Sequence, residues 1–464
     1  MCSEGADKPL LGLHMARCGV DSFVIPIYSE DEKYEANFQS MPRGSETKVD
    51  PMQPGTFVPG AKYVGKWEGK GANTPARSAF FPVNKDFAST LSPEEYLVPA
   101  ILTKQAMFNR TEATMNYGET KVVVEDKVKD PRWASSFNHM KDNCQILPFE
   151  EALFGNPTKK LESMASTSKY VGWRFKNMDL TKAQVVNFLD KTYNKELLDA
   201  FNHYKEDALR EPIYPLVETF PKDELLAREK VYTEKPMPRL INGHDLAYNL
   251  VLRSYFGDYA DKLAKHPALS SCAIGVNPWS HDWKVVYNKA TVHPNLLAGD
   301  LSKQEAVTQK VFCEAFFAHL NSFYDFQGDD YTIAYNLIMG LDSFYMIFSG
   351  SVYQTLRGHS SGHFLTALFN SFMVYTLHKL GYEERVGEDS FDKHVSIVAL
   401  GDDSAASVSN EMKDKFNMSV MADFALEKFG IKYTSPVNKT STVVEPFIPR
   451  KDFVFLGRDF CTGP

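Results

Sequence analysis

The sequence predicts an α+β fold in which helices are interleaved with a few strands, and three stretches carry that prediction. The run "VSIVALGDDSAASV", residues 395 to 408, reads as two apolar strands joined by a Gly-Asp turn. The stretch "NLLAGD", ending at Asp300, reads as a further strand. From about 93 to 210 the pattern is mainly helical, as in "TKAQVVNFLDKTYNKELLDAFNHYKEDALR", where apolar residues recur at three- and four-residue spacing.

The other elements follow in order. Residues 1 to 28 read as short strands, and 29 to 78 as a polar, turn-rich linker and extended segment with a domain boundary near residue 40. Residues 216 to 241 switch to short extended pieces. A helix is predicted near 244 to 265, another over 303 to 325 after the "NLLAGD" strand, and two more near 331 to 349 and 363 to 380. The closing "KDFVFLGRDF" reads as another strand pair.

Composition narrows the class of protein. The 464 residues are 43% hydrophobic and 13% aromatic, enough for a packed core. Six scattered cysteines form no C-x-x-C pair, which excludes a zinc ribbon and a disulfide scaffold and points to a reducing compartment. No run reaches the roughly 18 apolar residues of a membrane span, and the first residues lack the basic-then-apolar layout of a signal peptide. The net charge of -8 weighs against nucleic-acid binding unless the acidic excess is gathered at a metal site or on a remote face.

Two Gly-Asp-Asp triplets compete for the chemistry. Around Gly328 the flanks are helical, so Asp329 and Asp330 read as helix-start residues. Around Gly401 they are strand-like, which puts Asp402 and Asp403 on a hairpin. If the Asp300 strand lies beside that hairpin, Asp300 and Asp402 converge, and clustered carboxylates of this kind suit two Mg²⁺ or Mn²⁺ ions and in-line phosphoryl transfer. A helix N-cap is the alternative role for Asp300. In "RGHSSGHFLTALFNSF", Ser361 and Gly362 form a loop, and Thr366 and Asn370 share one helical face. Short hydroxyl and amide groups beside metals can read a ribose 2′-OH. Upstream, "FPKDELLAREKVYTEKPMPRLI" reads as extended strands that set alternate cations on one side, which offers Lys222, Lys230 and Arg239 to a triphosphate.

In their order and spacing, Asp300 with Glu305, Ser361-Gly362 with Thr366 and Asn370, and Gly401-Asp402-Asp403 resemble the RNA-dependent RNA polymerases of picornavirus-like positive-strand RNA viruses. Only the Gly401 triplet is preceded by such a block, which favours it over the Gly328 copy. The resemblance covers roughly residues 60 to 464 and implies a right-hand polymerase fold with fingers and palm. It implies RNA-directed RNA polymerase activity in viral replication, with RNA template and primer and ribonucleoside triphosphates as partners. Lys222, Lys230 and Arg239 would hold the triphosphate, and Asp300, the Leu301 carbonyl, Asp402 and Asp403 the metals. Ser361, Gly362, Thr366, Asn370 and Glu305 would sort the sugar, and Lys439 in "SPVNKTS" would protonate pyrophosphate. "FVFLGRDF" resembles the family's primer-grip hairpin, and "LPFEEALFG...STSKYVGW" a fingers segment.

The chain departs from the family pattern in several places. Glu305 stands where aspartate is usual, and Lys169-Tyr170 where Pro-Gly or Ala-Gly is usual. The sequence stops four residues after Phe460, which implies a truncated thumb and a polyprotein fragment. "LLGLHMARCGVDSFVIPI" resembles the last strands of a chymotrypsin-like cysteine protease, with His14 as pocket histidine and Cys2 as candidate nucleophile. The Gln39-Ser40 bond in the polar linker reads as a cleavage junction. The expected organisation is a protease remnant and linker over 1–39, N-terminal segment and fingers over 40–290, and mainly palm over 291–464. The resemblance further implies a place in host cytoplasm at viral replication complexes, a protein primer and other replication proteins. A catalytically inactive RNA- or nucleotide-binding fragment and a reverse transcriptase are the rival readings, and the polar Asn370 argues against the second.

Overall fold

The structure is a computed structural model that describes residues 58, 60–70, 98–115, 126–166, 170–301, 310–348, 350–387, 390–436 and 444–459. The strands of its two main sheets are β1 (Ala61–Lys66), β2 (Leu216–Pro221), β3 (Leu240–Gly243), β4 (Asn295–Leu301), β5 (Tyr345–Phe348), β6 (Ser351–Thr355), β7 (Val395–Leu400), β8 (Asp403–Val408) and β9 (Tyr433–Thr434). The longer helices are α1 (Lys104–Met115), α2 (Lys195–Ala208), α3 (Leu246–Lys265), α4 (His281–Ala290), α5 (Lys310–Tyr324), α6 (Gly328–Met339), α7 (Thr366–Val386) and α8 (Met418–Phe429).

The first sheet has five strands in the order β1-β6-β5-β2-β3, antiparallel except where β2 meets β5. Its side chains alternate between two buried faces. Val217, Met346, Phe348 and Tyr353 pack with Met107 of α1, while Leu216, Ile347 and Val352 pack with Trp67 and Trp173. The second sheet has four antiparallel strands in the order β7-β8-β4-β9. Ala298, Ala399, Ala405 and Ala406 give it a buried strip of small side chains, and α4 and α7 pack against β7. The exposed edge of β7 is clipped by the preceding chain, where Ala399 N–H donates to Ser271 O at 2.8 Å and Ala273 N–H to Ala399 O at 2.9 Å.

Two predicted helices are cut short. Residues 345–348 are strand β5 rather than the end of a helix, because Ser343 and Phe344 are tied to Thr355: Ser343 Oγ donates to its carbonyl at 2.7 Å, and Phe344 N–H to its Oγ1 at 3.0 Å. Those bonds turn the chain into the sheet, where an aromatic and β-branched run is favoured. The helical pattern over 181–210 is broken by a short hairpin, Val186–Asn187 with Thr192–Tyr193, whose turn holds Lys191 at φ 53°. Helix α2 restarts at Asn194, whose side chain accepts from Glu196 N–H at 3.0 Å. The region from 93 to 210 is therefore less helical than its apolar spacing suggests.

Asp342 closes the turn after α6, and burial pushes its carboxyl up to about 6 despite the opposing charge of Lys310. The folded protein then binds this proton more tightly than the unfolded chain between roughly pH 4 and 6, so stability falls as pH rises through that window. Asp342→Asn should raise stability at pH 7 to 8 by on the order of 2 kcal/mol and lose the advantage at pH 4. Calorimetric melts at the two pH values check this.

Candidate active site

Strands β7 and β8 are joined by the two-residue turn Gly401-Asp402, closed by the pair Leu400 with Asp403. Gly401 sits at φ 65°, the positive value that the first central residue of a type II′ hairpin requires, and Asp402 is exposed at the tip. Across the sheet the register sets Asp403 directly opposite Asp300. The sequence reading brought Asp300 to Asp402; the register makes Asp403 its cross-strand partner, with Asp402 one residue away on the turn. Directly opposed residues on antiparallel strands point to one face, and like charges there repel. Such a pair suits a hard divalent cation. Leu301, the expected backbone ligand, is buried and pairs with Tyr433 of β9. Among the described residues no three His, Cys, Asp or Glu side chains form a cage by themselves. A cation here would complete its shell from water and phosphate oxygens, as Mg²⁺ commonly does.

Next to the turn lies a cavity of about 210 Å³ whose lining includes Arg239, Asn242, Ser361, Thr366 and Asn370. Four residues that the sequence placed in nucleotide binding therefore meet in one space. Arg239 reaches electrostatically to Asp402: its pKa is raised first by its hydrogen bond to Glu224, against desolvation, and further by the charges of Glu224 and Asp402. Arg110, His359 and Arg357 also line the cavity, and sequence reasoning missed them. Their approach depends on α1 and the 357–365 loop folding onto β3, for which the sequence carries no local signal.

The loop before α7 is held by its surroundings. Gly362 has φ 92°, and a Cβ there would lie 2.7 Å from Asn242 O, so only glycine fits. Ser360 Oγ is 2.7 Å from His244 Nε2, and the ring of His363 packs edge to face with those of His244 and His359. Burial pushes His244 down to about 3 and His359 to about 4, and His363 well below its ordinary value, so all three are neutral spacers at neutral pH. An interaction with Asn370 opposes the downward shift at His359, which sets that ring beside one of the sugar-reading candidates.

The basic segment is arranged differently from its prediction. Residues 222–239 are not extended strands with alternating cations; they contain a two-residue strand, Leu225–Leu226, and a one-turn helix, Arg228–Val231. Lys230 is exposed on that helix and is absent from the cavity lining. Lys222 and Arg239 do meet, since Lys222 N–H donates to Arg239 O at 2.8 Å and both side chains reach Glu224. Burial pushes the Glu224 carboxyl up, but Arg239 and Lys222 outweigh that and hold it below its usual range. A triphosphate would compete with Glu224 for the two cations.

The Gly328 triplet opens a helix. Asp329 and Asp330 fall in the first turn of α6, where carboxylates suit the helix dipole, and Asp330 Oδ1 accepts from Tyr255 Oη at 2.7 Å. The C-terminal strand pair forms as predicted, Val454–Phe455 with Arg458–Asp459, beside the strand that carries Asp403. Three aromatic residues spaced four apart clasp that segment. Arg458 lies 4.5 Å over Trp279, Phe455 stacks on Trp283, and Arg450 lies 5.4 Å over Tyr287. Cys2, His14, Gln39, Ser40, Lys169, Glu305 and Lys439 lie outside the described residues.

Comparison with known proteins agrees with this fold. A solved structure titled Sicinivirus 3Dpol RNA dependent RNA polymerase superposes with a TM-score of 0.65 at 19% identity, covering 86% of this chain and 81% of that one. The fold is that of a right-hand polymerase. Residues 134–463 match the family model described as viral RNA-dependent RNA polymerase. The chain belongs to that family. It is 28% identical over 338 residues to the replicase polyprotein of Acute bee paralysis virus (strain Rothamsted), a match covering 68% of this chain and 17% of the polyprotein. To the RNA1 polyprotein of Broad bean wilt virus 1 it is 31% identical over 245 residues, covering 52% and 13%. The chain thus spans less than a fifth of the length of these relatives. No described helix is long and apolar enough to cross a membrane.

Proposed function

We propose that this chain carries out template-dependent ribonucleotidyl transfer on RNA. The observation that carries the reading is the opposed pair Asp300 and Asp403, with Asp402 on the adjoining turn, next to a cavity lined by Arg239, Ser361, Thr366 and Asn370. In the reaction a primer 3′-hydroxyl attacks the α-phosphate of a ribonucleoside triphosphate. A phosphorus–oxygen bond forms to the primer, the bond to the β-phosphate oxygen breaks, and pyrophosphate leaves. Two Mg²⁺ or Mn²⁺ ions held by Asp300, Asp402 and Asp403 would sharpen the hydroxyl and shield the developing charge.

The chain's own side chains divide the remaining work. Arg239 and Lys222 bind the triphosphate in place of Glu224, and the exposed Lys230 is the third cation that the family resemblance assigns to it. Ser361, Thr366 and Asn370 orient the ribose through its hydroxyls, with Glu305 as the acidic partner that the family resemblance assigns. By that same resemblance Lys439 supplies the proton to pyrophosphate. The expected setting is the host cytoplasm at viral replication complexes, with a protein primer and other replication proteins as partners. The domain reading of 1–39, 40–290 and 291–464 goes with this proposal.

Sugar selection is a direct test. A site built to hydrogen-bond a hydroxyl discriminates strongly against the analogue that lacks it. Asn370→Ala should cut the preference for ribo- over deoxyribonucleotides by about 10- to 100-fold, mainly through weaker ribonucleotide use. Steady-state incorporation of each nucleotide on a primed RNA template measures the ratio. An unchanged ratio in an active variant would remove Asn370 from sugar reading.

A further inference from the structure

The Gly401-Asp402 turn is held from behind by a residue that the sequence reading did not single out. Gly401 N–H donates to Ser371 Oγ at 3.0 Å. The Ser371 hydroxyl in turn donates to Ala367 O at 2.7 Å, one turn back along α7, and Cys272 lies against the same side chain. Ser371 is fully buried. Its hydroxyl is therefore pinned in direction as well as in place, and it offers the turn a fixed acceptor.

The position of Ser371 in the chain matters as much as its bond. It directly follows Asn370, and Thr366 is the first residue of the same helix. The face of α7 bearing Thr366 and Asn370 lines the nucleotide cavity, while the next side chain grips the turn bearing Asp402. A Cβ built on Gly401 would meet nothing within 4 Å, so that side of the turn is open and its backbone N–H is the group held by α7.

We propose that Ser371 is a positioning residue that fixes the Asp402 turn on α7, so that a ribose seated against Thr366 and Asn370 sets the placement of the carboxylate. Sugar reading and carboxylate placement then share one rigid helix, and discrimination acts partly on the chemical step rather than on nucleotide binding alone. This inference rests on the polymerase reading above.

The test uses the 464-residue chain and three variants: Ser371→Ala, which removes only an oxygen; Ser371→Cys, which keeps an acceptor in nearly the same volume; and Thr376→Val, an equally buried change on α7 away from the turn. Primed RNA extension is measured with ribo- and deoxyribonucleotides across a Mg²⁺ titration, with thermal melts alongside. Ser371→Ala should lower ribonucleotide kcat by about 10- to 100-fold with little change in KM. It should raise the Mg²⁺ concentration needed for half-maximal rate and narrow the ribo-to-deoxy ratio. Ser371→Cys should recover part of each effect, and Thr376→Val should shift the melt without moving the Mg²⁺ dependence or the ratio. Wild-type extension with Ser371→Ala matching wild type in kcat, Mg²⁺ dependence and sugar ratio would overturn the role of Ser371 and leave the polymerase reading standing. Equal loss in Ser371→Ala and Thr376→Val, following the melts alone, would also overturn it. A folded wild type that extends nothing and, by calorimetry, binds ribonucleoside triphosphate equally with and without Mg²⁺ would overturn the polymerase reading itself, and this inference with it.

Discussion

Replacing either Asp300 or Asp402 by asparagine should lower ribonucleotide incorporation by on the order of 10³-fold, about 4 kcal/mol of transition-state stabilisation, while the protein stays folded. The two substitutions should differ in their effect on stability. Asp300 faces Asp403 across the β4–β8 ladder, and both are only partly exposed, so their like charges repel in the folded state. Asp300→Asn removes that repulsion and should raise stability by about 0.5 kcal/mol in metal-free buffer. Asp402 is exposed on the turn with no directly opposed carboxylate, and Asp402→Asn should leave the melt nearly unchanged. A gain in stability paired with a loss of activity marks a residue kept for chemistry rather than for folding. Melts with and without Mg²⁺ separate the cases, because added metal should close the gap between wild type and Asp300→Asn.

The second large effect comes from a residue with no side chain. Gly299 precedes Asp300, and a Cβ built there would overlap the ring of Tyr433, which is fully buried over the strand from β9. Gly299→Ala must push Tyr433 outward or displace β4 together with Asp300. Overpacking of this kind costs about 1 to 3 kcal/mol, and a carboxylate displaced by about 1 Å can cost on the order of 10²-fold in rate. Shortening the opposing side chain should relieve the clash. Gly299→Ala with Tyr433→Leu should therefore regain more activity than the two single losses predict, and a double-mutant cycle in incorporation rate reads that coupling. Additive losses would mean that the ring over Gly299 does not set the position of Asp300.

The sequence was most readable where structure is local. The Gly401-Asp402 turn, the "NLLAGD" strand, the helix from Leu246 to Lys265 and the closing hairpin all form from residues close together in the chain, and each could be placed from turn chemistry or periodicity. Reading failed where distant segments decide. Tyr345 to Phe348 fit a helical pattern until Thr355 captured Ser343 and Phe344. The cations of 222–239 looked like alternating strand residues, yet Glu224 gathers two of them and leaves Lys230 on a separate helical turn. Asp300, Asp402 and Asp403 were legible as a group, but which aspartate faces Asp300 depends on register, and a one-residue slip changes the answer. Ser371 carries a signal only in hindsight, as the small polar residue next to Asn370, because α7 also buries the polar side chains of Thr376, His378 and Lys379.

The choice between the two Gly-Asp-Asp triplets can be settled by one experiment: Mg²⁺-dependent extension of a primed RNA template by wild type, Asp402→Asn and Asp329→Asn, each offered ribo- and deoxyribonucleotides. Asp329 is exposed in the first turn of α6 and serves as the matched control. Ribonucleotide extension that is present in wild type, retained in Asp329→Asn and lost in Asp402→Asn is the predicted result. Extension that survives Asp402→Asn but is lost with Asp329→Asn, or that prefers deoxyribonucleotides, would contradict the assignment of this site.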